Sequence, residues 1–193
     1  MPGERDGASA RPPESGIAAP VVYTVGHSTR SSEEFIGLLQ AHGIEHLVDV
    51  RTIPKSRHNP QFGREALAAA LLQAGIRYTH MPGLGGLRRA APGSPNSGWR
   101  NASFRGYADY MQTAPFQQSL AACIALAGAE RIALMCAEAV PWRCHRSLIA
   151  DALTVRGIAA CEIASRERAR RHVLTRWAVV NGTDLTYPAA AAD

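Results

Sequence analysis

Apolar residues in this chain fall into two kinds of pattern. One is the short, near-continuous run rich in β-branched residues: 21–25 (VVYTV), 44–51 (IEHLVDVR), 76–80 (IRYTH), 131–136 (RIALMC) and 158–163 (IAACEI). Runs of this length bounded by turn residues read as strands. The other is the spaced stripe. In SSEEFIGLLQAHG, Phe35, Leu38 and Leu39 share a helical face, Ser31 and Glu34 have capping-box spacing, and Gly43 supplies a stop. REALAAALLQAG, the segments 104–113 and 115–128, and CHRSLIADALTVRG with Leu148, Ile149, Ala152 and Leu153 inward repeat that spacing. RERARRHVLTRWAVV reads as a final, basic helix.

Strands alternate with helices along the whole chain, which predicts a single α/β domain. Its sheet is mostly parallel, with helices on both faces and right-handed crossovers. The domain is expected over residues 21–180, with a disordered N-terminal tail at 1–20 and a loose C-terminal tail at 181–193. The segment 81–103 is rich in Gly, Pro and Ser. It is too long for a plain connector and fits a lid, a binding loop or a disordered stretch.

Composition narrows the class. The chain has 193 residues and 46% hydrophobic content, enough for a core without disulfides. No segment approaches the ~20 apolar residues of a membrane span. The first twenty residues have no apolar stretch of the secretory kind, so four free thiols in a reducing cytoplasm are expected. The net charge of +5 favours anionic partners, either a small molecule or nucleic acid. Lys55 is the one lysine in an arginine- and alanine-rich chain, so composition bias also accounts for that charge.

The polar residues that could do chemistry gather at one place in this plan. His27 and Ser28 follow the first strand, Asp49 and Arg51 end the second, and His80 ends the third. Cys136 and Glu138 end the fourth. All lie at carboxyl ends of strands, where open α/β sheets bind ligands. Asp49 and Arg51 are two apart and share a face; a structural ion pair and an anion-binding arginine with an acidic partner are equally open. In MCAEAVPWRCHR a strand leads through Cys136 and a loop to a helix opening near Cys144. Helix N-terminal N–H groups with Arg143 and Arg146 would favour a thiolate. Cys136 and Glu138 are therefore the candidate reactive groups, with His27 and Asp49 as orienters or proton carriers. Ser28, Arg51, Arg57, Arg143 and Arg146 are the candidate anion binders. Cys136, Cys144 and His145 form an alternative metal set, although C-x7-C-H is no standard zinc spacing. The sequence leaves the cofactor open.

The motifs TVGHS, LVDVR, SRHNPQF, YTHMPGLGG, FRGYADYM and MCAEAVPWRCHR, in this order over residues 21–163, resemble the family called domain of unknown function 488. The resemblance implies a compact α/β fold and no established reaction. The positions it carries over are His27, Ser28, Asp49, Arg51, Pro54, Arg57, Gly85, Gly86, Cys136, Glu138, Cys144, His145 and Arg146. An acidic-rich stretch is expected after the glutamate, where this chain has AVPW. The expectation is an enzyme acting on a phosphate-, nucleotide- or nucleic-acid-like substrate. A non-catalytic nucleic-acid-binding module using the basic C-terminal segment and a Cys/His metal-binding protein are the alternatives.

Overall fold

The computed structural model describes residues 20–189; the expected N-terminal tail lies outside them apart from Pro20. Strand β1 (Val21–Gly26) leads to helix α1 (Ser32–Ala41), then β2 (His46–Asp49), α2 (Arg64–Gln73) and β3 (Arg77–His80). Helices α3 (Ala102–Met111) and α4 (Ala114–Ala129) precede β4 (Ile132–Cys136), and α5 (Arg146–Thr154) precedes β5 (Ala159–Ile163). Three short strands follow: β6 (Ala169–Arg171), β7 (Val179–Asn181) and β8 (Asp184–Thr186).

The main sheet has the order β3-β2-β4-β1-β5-β6, and its first five strands are parallel. Only β6 runs antiparallel, against β5. The α/β reading holds, and β1 to β5 each start or end within two residues of the apolar run that announced them. The capping box on α1 forms as spaced: Ser31 Oγ accepts from the Glu34 N–H, and the Ser31 N–H donates to Glu34 Oε2.

Two cores flank the sheet. Phe35, Leu38 and Leu39 of α1 pack with Leu67 and Leu71 of α2 on one face. Tyr107, Phe116, Leu120, Leu148, Ile149 and Leu153 from α3, α4 and α5 pack on the other. Neighbouring strands β1 and β4 therefore send their crossovers to opposite faces. A crevice opens above their carboxyl ends, as in other doubly wound sheets.

Two sequence expectations fail, both near the C-terminus. Residues 166–180 form no helix; after a turn closed by Ala164 N–H donating to the Arg168 carbonyl, Ala169–Arg171 pairs with β5. A helix there would have had to satisfy its backbone alone, whereas the edge of β5 offered unpaired backbone groups to Ala169–Arg171. Residues 181–189 are not a loose tail. Leu185 and Tyr187 are buried, and the Tyr187 hydroxyl donates to Asp151 Oδ2 at 2.9 Å. His172 Nε2 and the Thr175 N–H share the Asp151 Oδ1 at 2.7 and 2.9 Å. One buried carboxylate thus collects His172, Thr175 and Tyr187.

The long segment 81–103 is not a disordered stretch; side chains of α3 anchor it at several points. Asp109 on α3 accepts from the Ala91 N–H (2.8 Å), the Ser94 hydroxyl and the Asn96 amide (2.7 Å). The Tyr107 hydroxyl donates to the Leu84 carbonyl at 2.7 Å. These anchors bring Gly86 and Leu87 to the carboxyl edge of the sheet.

Candidate functional site

At the end of β2, Asp49 and Arg51 form a buried, two-pronged ion pair. Arg51 Nε donates to Asp49 Oδ1 at 2.9 Å and Nη2 to Oδ2 at 2.6 Å. The Arg51 backbone N–H adds a bond to Oδ1 at 3.0 Å, and the Tyr78 hydroxyl one to Oδ2 at 2.8 Å. With four donors on two oxygens and no exposure, the Asp49 carboxylate is fully engaged inside the protein.

His27 belongs to the same buried unit. Its Nδ1 bonds the Ser28 carbonyl at 2.8 Å, and its Nε2 lies 3.4 Å from Arg51 Nη1. The ring stacks on Phe62 with centroids 4.1 Å apart. Burial, with Arg51 and Arg146 nearby, lowers its pKa from 6.5 to about 4. The neutral ring donates through Nδ1 and accepts from Arg51 through Nε2. Ser28 beside it sits at φ 53°, the left-handed region a serine rarely adopts. Gly26 permits this turn, because a Cβ there would fall 2.0 Å from the Glu138 carbonyl oxygen. The close approach lets the His27 and Ser28 N–H groups reach the Cys136 and Ala137 carbonyls, each at 3.0 Å.

Across this junction stand the sulfur groups. Cys136 Sγ, Cys144 Sγ and a His145 ring nitrogen lie within 4.8 Å of one another. His145 Nδ1 is 3.7 Å from Cys144 Sγ, and its Nε2 is 3.2 Å from the Val50 carbonyl. That carbonyl fixes the ring with Nε2 as donor, which leaves the Nδ1 lone pair facing the thiols. Gly86 makes room for it: a Cβ there would come 3.0 Å from Nδ1. The Tyr107 ring covers the outer side of His145 at 5.0 Å between centroids. The two thiols titrate as a pair. The Cys136 thiol lies within 4.8 Å of Cys144 Sγ, and with His145 and Arg146 it favours a Cys144 thiolate, so the first proton leaves well below the usual thiol range. The second is held well above it, by the neighbouring Cys144 thiolate and by burial.

These groups open into a cleft of about 260 Å³ lined by Leu87, Phe104, Tyr107, Glu138 and Arg143 with the Cys/Cys/His cluster. Glu138 Oε1 accepts from the Val140 N–H at 3.1 Å. Arg143 is exposed at the rim.

Arg146 is fully buried beside the cluster. Its Nη1 reaches both oxygens of Glu162 (3.2 and 3.1 Å), and its Nη2 donates to the Glu138 carbonyl at 2.5 Å. The sequence-predicted residues thus divide. Cys136, Glu138, Cys144, His145 and Arg143 share the cleft, while His27, Asp49 and Arg51 form the wall behind it. Arg57 is exposed and lines no part of the cleft. Of the five expected anion binders, only Arg143 lines it. Glu162, Tyr78 and Asp151 escaped the sequence reading. An acid inside the apolar run IAACEI was the available signal for Glu162, since buried carboxylates need a partner.

A family model described as Domain of unknown function DUF488 matches residues 31–153. Comparison with curated proteins and with solved structures gives no match.

Proposed function

Because the chain belongs to the domain of unknown function DUF488 family, whose description assigns no reaction, we propose a function from the chemistry of its cleft: metal-assisted hydrolysis of a small anionic substrate. The carrying observation is the convergence of Cys136, Cys144 and His145 within 4.8 Å, with His145 Nε2 tied to the Val50 carbonyl. Two soft thiolates and an imidazole suit zinc, and a ligating histidine characteristically donates its other N–H to a carbonyl or carboxylate. Structural zinc sites are closed by four protein ligands, whereas catalytic ones keep a position open. Among the described residues the cluster contains three ligands, and it borders a cleft.

A divalent metal held there would supply Lewis-acid chemistry. Glu138, on the cleft wall and oriented by the Val140 N–H, is the proton carrier. Arg143 at the rim attracts the substrate's negative charge, and Phe104 and Tyr107 hold its apolar part. His27, Asp49 and Arg51 act as positioning residues, because they fix the strand end whose Val50 carbonyl orients His145.

The test is metal analysis of the purified full chain, followed by zinc titration of the chelated protein. One tightly held metal per chain is expected, lost in Cys144→Ser and retained in Glu138→Gln. Hydrolysis of an anionic substrate found by screening the loaded protein should then fail in Glu138→Gln. Protein that takes up no zinc, and whose Cys136 and Cys144 alkylate equally with and without it, would refute the metal. The closeness of the two thiols, within 4.8 Å, supports a second reading, a metal-free thiolate–thiol pair. Rapid alkylation of one cysteine at neutral pH, untouched by chelator, is its signature.

A further inference from the structure

The arginines that do not line the cleft gather elsewhere. A separate cavity of about 370 Å³ lies on the other side of the 138–146 segment, above the carboxyl ends of β1 and β5. It shares no lining residue with the cleft. Arg30, Arg146, Arg170 and Arg171 line it, against the single carboxylate of Glu162. That carboxylate is already engaged by Arg146 and Thr24. Arg30, Arg170 and Arg171 have no carboxylate partner among the described residues. At the floor, the Arg146 Nε is buried with no hydrogen-bond acceptor of its own. Over the mouth stands Trp142, 70% exposed and stacked on no other aromatic ring among the described residues.

We propose that this cavity is a binding site for a free nucleoside diphosphate, with the phosphates among Arg30, Arg170 and Arg171 and the base on Trp142. Guanidinium groups match phosphate oxygens two at a time and form the stronger, charge-assisted class of hydrogen bond. A solvent-facing indole costs hydrophobic free energy unless something flat covers it, and a base is flat and stacks well on aromatic rings. The volume falls in the range of small-ligand sites and suits one nucleotide rather than a strand. The site uses none of the cluster's ligands, so it stands or falls independently of the metal reading. It also accounts for the excess of positive charge in the 166–171 region without a nucleic-acid-binding helix.

The experiment is calorimetric titration of the full chain with ADP, inorganic pyrophosphate and an octathymidylate strand at fixed salt. ADP should bind one per chain, and pyrophosphate about tenfold more weakly, because it forgoes base stacking. Arg170→Gln/Arg171→Gln replaces two exposed side chains and should leave the fold intact while weakening both ligands about tenfold or more. Trp142→Ala should reduce ADP to the affinity of pyrophosphate and leave pyrophosphate unchanged. The proposal is overturned if neither ADP nor pyrophosphate binds, or if the double arginine variant binds them like the parent. It is also overturned if only the oligonucleotide binds.

Discussion

Replacing Asp49 by Asn separates its two possible roles. If the carboxylate were a catalytic base, the substitution would remove activity and leave the fold nearly unchanged. The structure requires the opposite emphasis. Asp49 is fully buried and Arg51 is 5% exposed. Asparagine keeps one oxygen for the Arg51 backbone N–H but turns an NH2 group toward the Arg51 Nη2 or the Tyr78 hydroxyl, both of which are donors. A buried guanidinium is then left without its counter-charge. Breaking a buried pair from one side costs about 3–5 kcal/mol, far above the ~0.5 kcal/mol of an ordinary surface change. Urea unfolding of the parent, Asp49→Asn, Arg51→Met and the double variant forms a closed cycle. The double variant should be more stable than the sum of the singles predicts, by about 1–3 kcal/mol, since it removes both charges together. A loss below about 1 kcal/mol in Asp49→Asn, with no coupling to Arg51, would refute the structural assignment.

Other expectations follow from single contacts. Gly86→Ala places a methyl group 3.0 Å from His145 Nδ1 and should weaken zinc binding by about 10–100-fold in a competition titration, with stability nearly unchanged. Tyr187→Phe removes the hydroxyl bonded to Asp151 and should cost about 1–3 kcal/mol in thermal or urea unfolding. Amide exchange should show residues 179–187 loosening first. His27 should make stability fall with acid. Its folded pKa of about 4 lies below the unfolded 6.5, so between those values the unfolded chain binds more protons. The stability is fully present above pH 6.5, is lost as pH falls toward 4, and amounts to about 3 kcal/mol across that window. His27→Gln should flatten that slope in unfolding curves taken from pH 7 to 4.

The parallel core of the fold was legible because each strand and helix carried its own local pattern. The alternation of VVYTV, LVDV and IALMC with capped, striped helices leaves little choice of class. The strand order was not legible, since it depends on which crossover packs on which face, and that is a property of α1 and α5 together. The C-terminal region misled for a related reason. Its arginines suit a helix by propensity, but the decisive partner was the free edge of β5, and helical spacing along the segment carries no sign of that edge. Asp151 shows the same limit. It sits on the inward face of α5, where only the distant Tyr187, His172 and Thr175 explain a buried acid. At the site, placement at strand ends was readable for His27, Asp49, Cys136 and Glu138. Which arginines face ligand and which face protein was not, because side-chain direction at a strand end is set by partners such as Asp49 and Glu162.

Arg146 ties these observations into one design. The segment from Cys136 to His145 presents thiols and Glu138 to the cleft and Trp142 to the arginine cavity, so its backbone must be held while both sides stay open. Local structure supplies little: one 3₁₀ turn at Pro141–Arg143, closed by the Cys144 N–H on the Pro141 carbonyl. The remaining constraint comes from the buried guanidinium, which bonds the Glu138 carbonyl with one nitrogen and both Glu162 oxygens with another. A lysine carries the same charge but has one nitrogen and no planar fork, so it cannot reach backbone and carboxylate in fixed directions at once. Glu162 in β5 pairs with the guanidinium and offsets part of its charge beside the cluster. One of the residues read from sequence as an anion binder is therefore a structural divider, and half-buried Arg30 and the exposed Arg170 and Arg171 are left to meet a ligand.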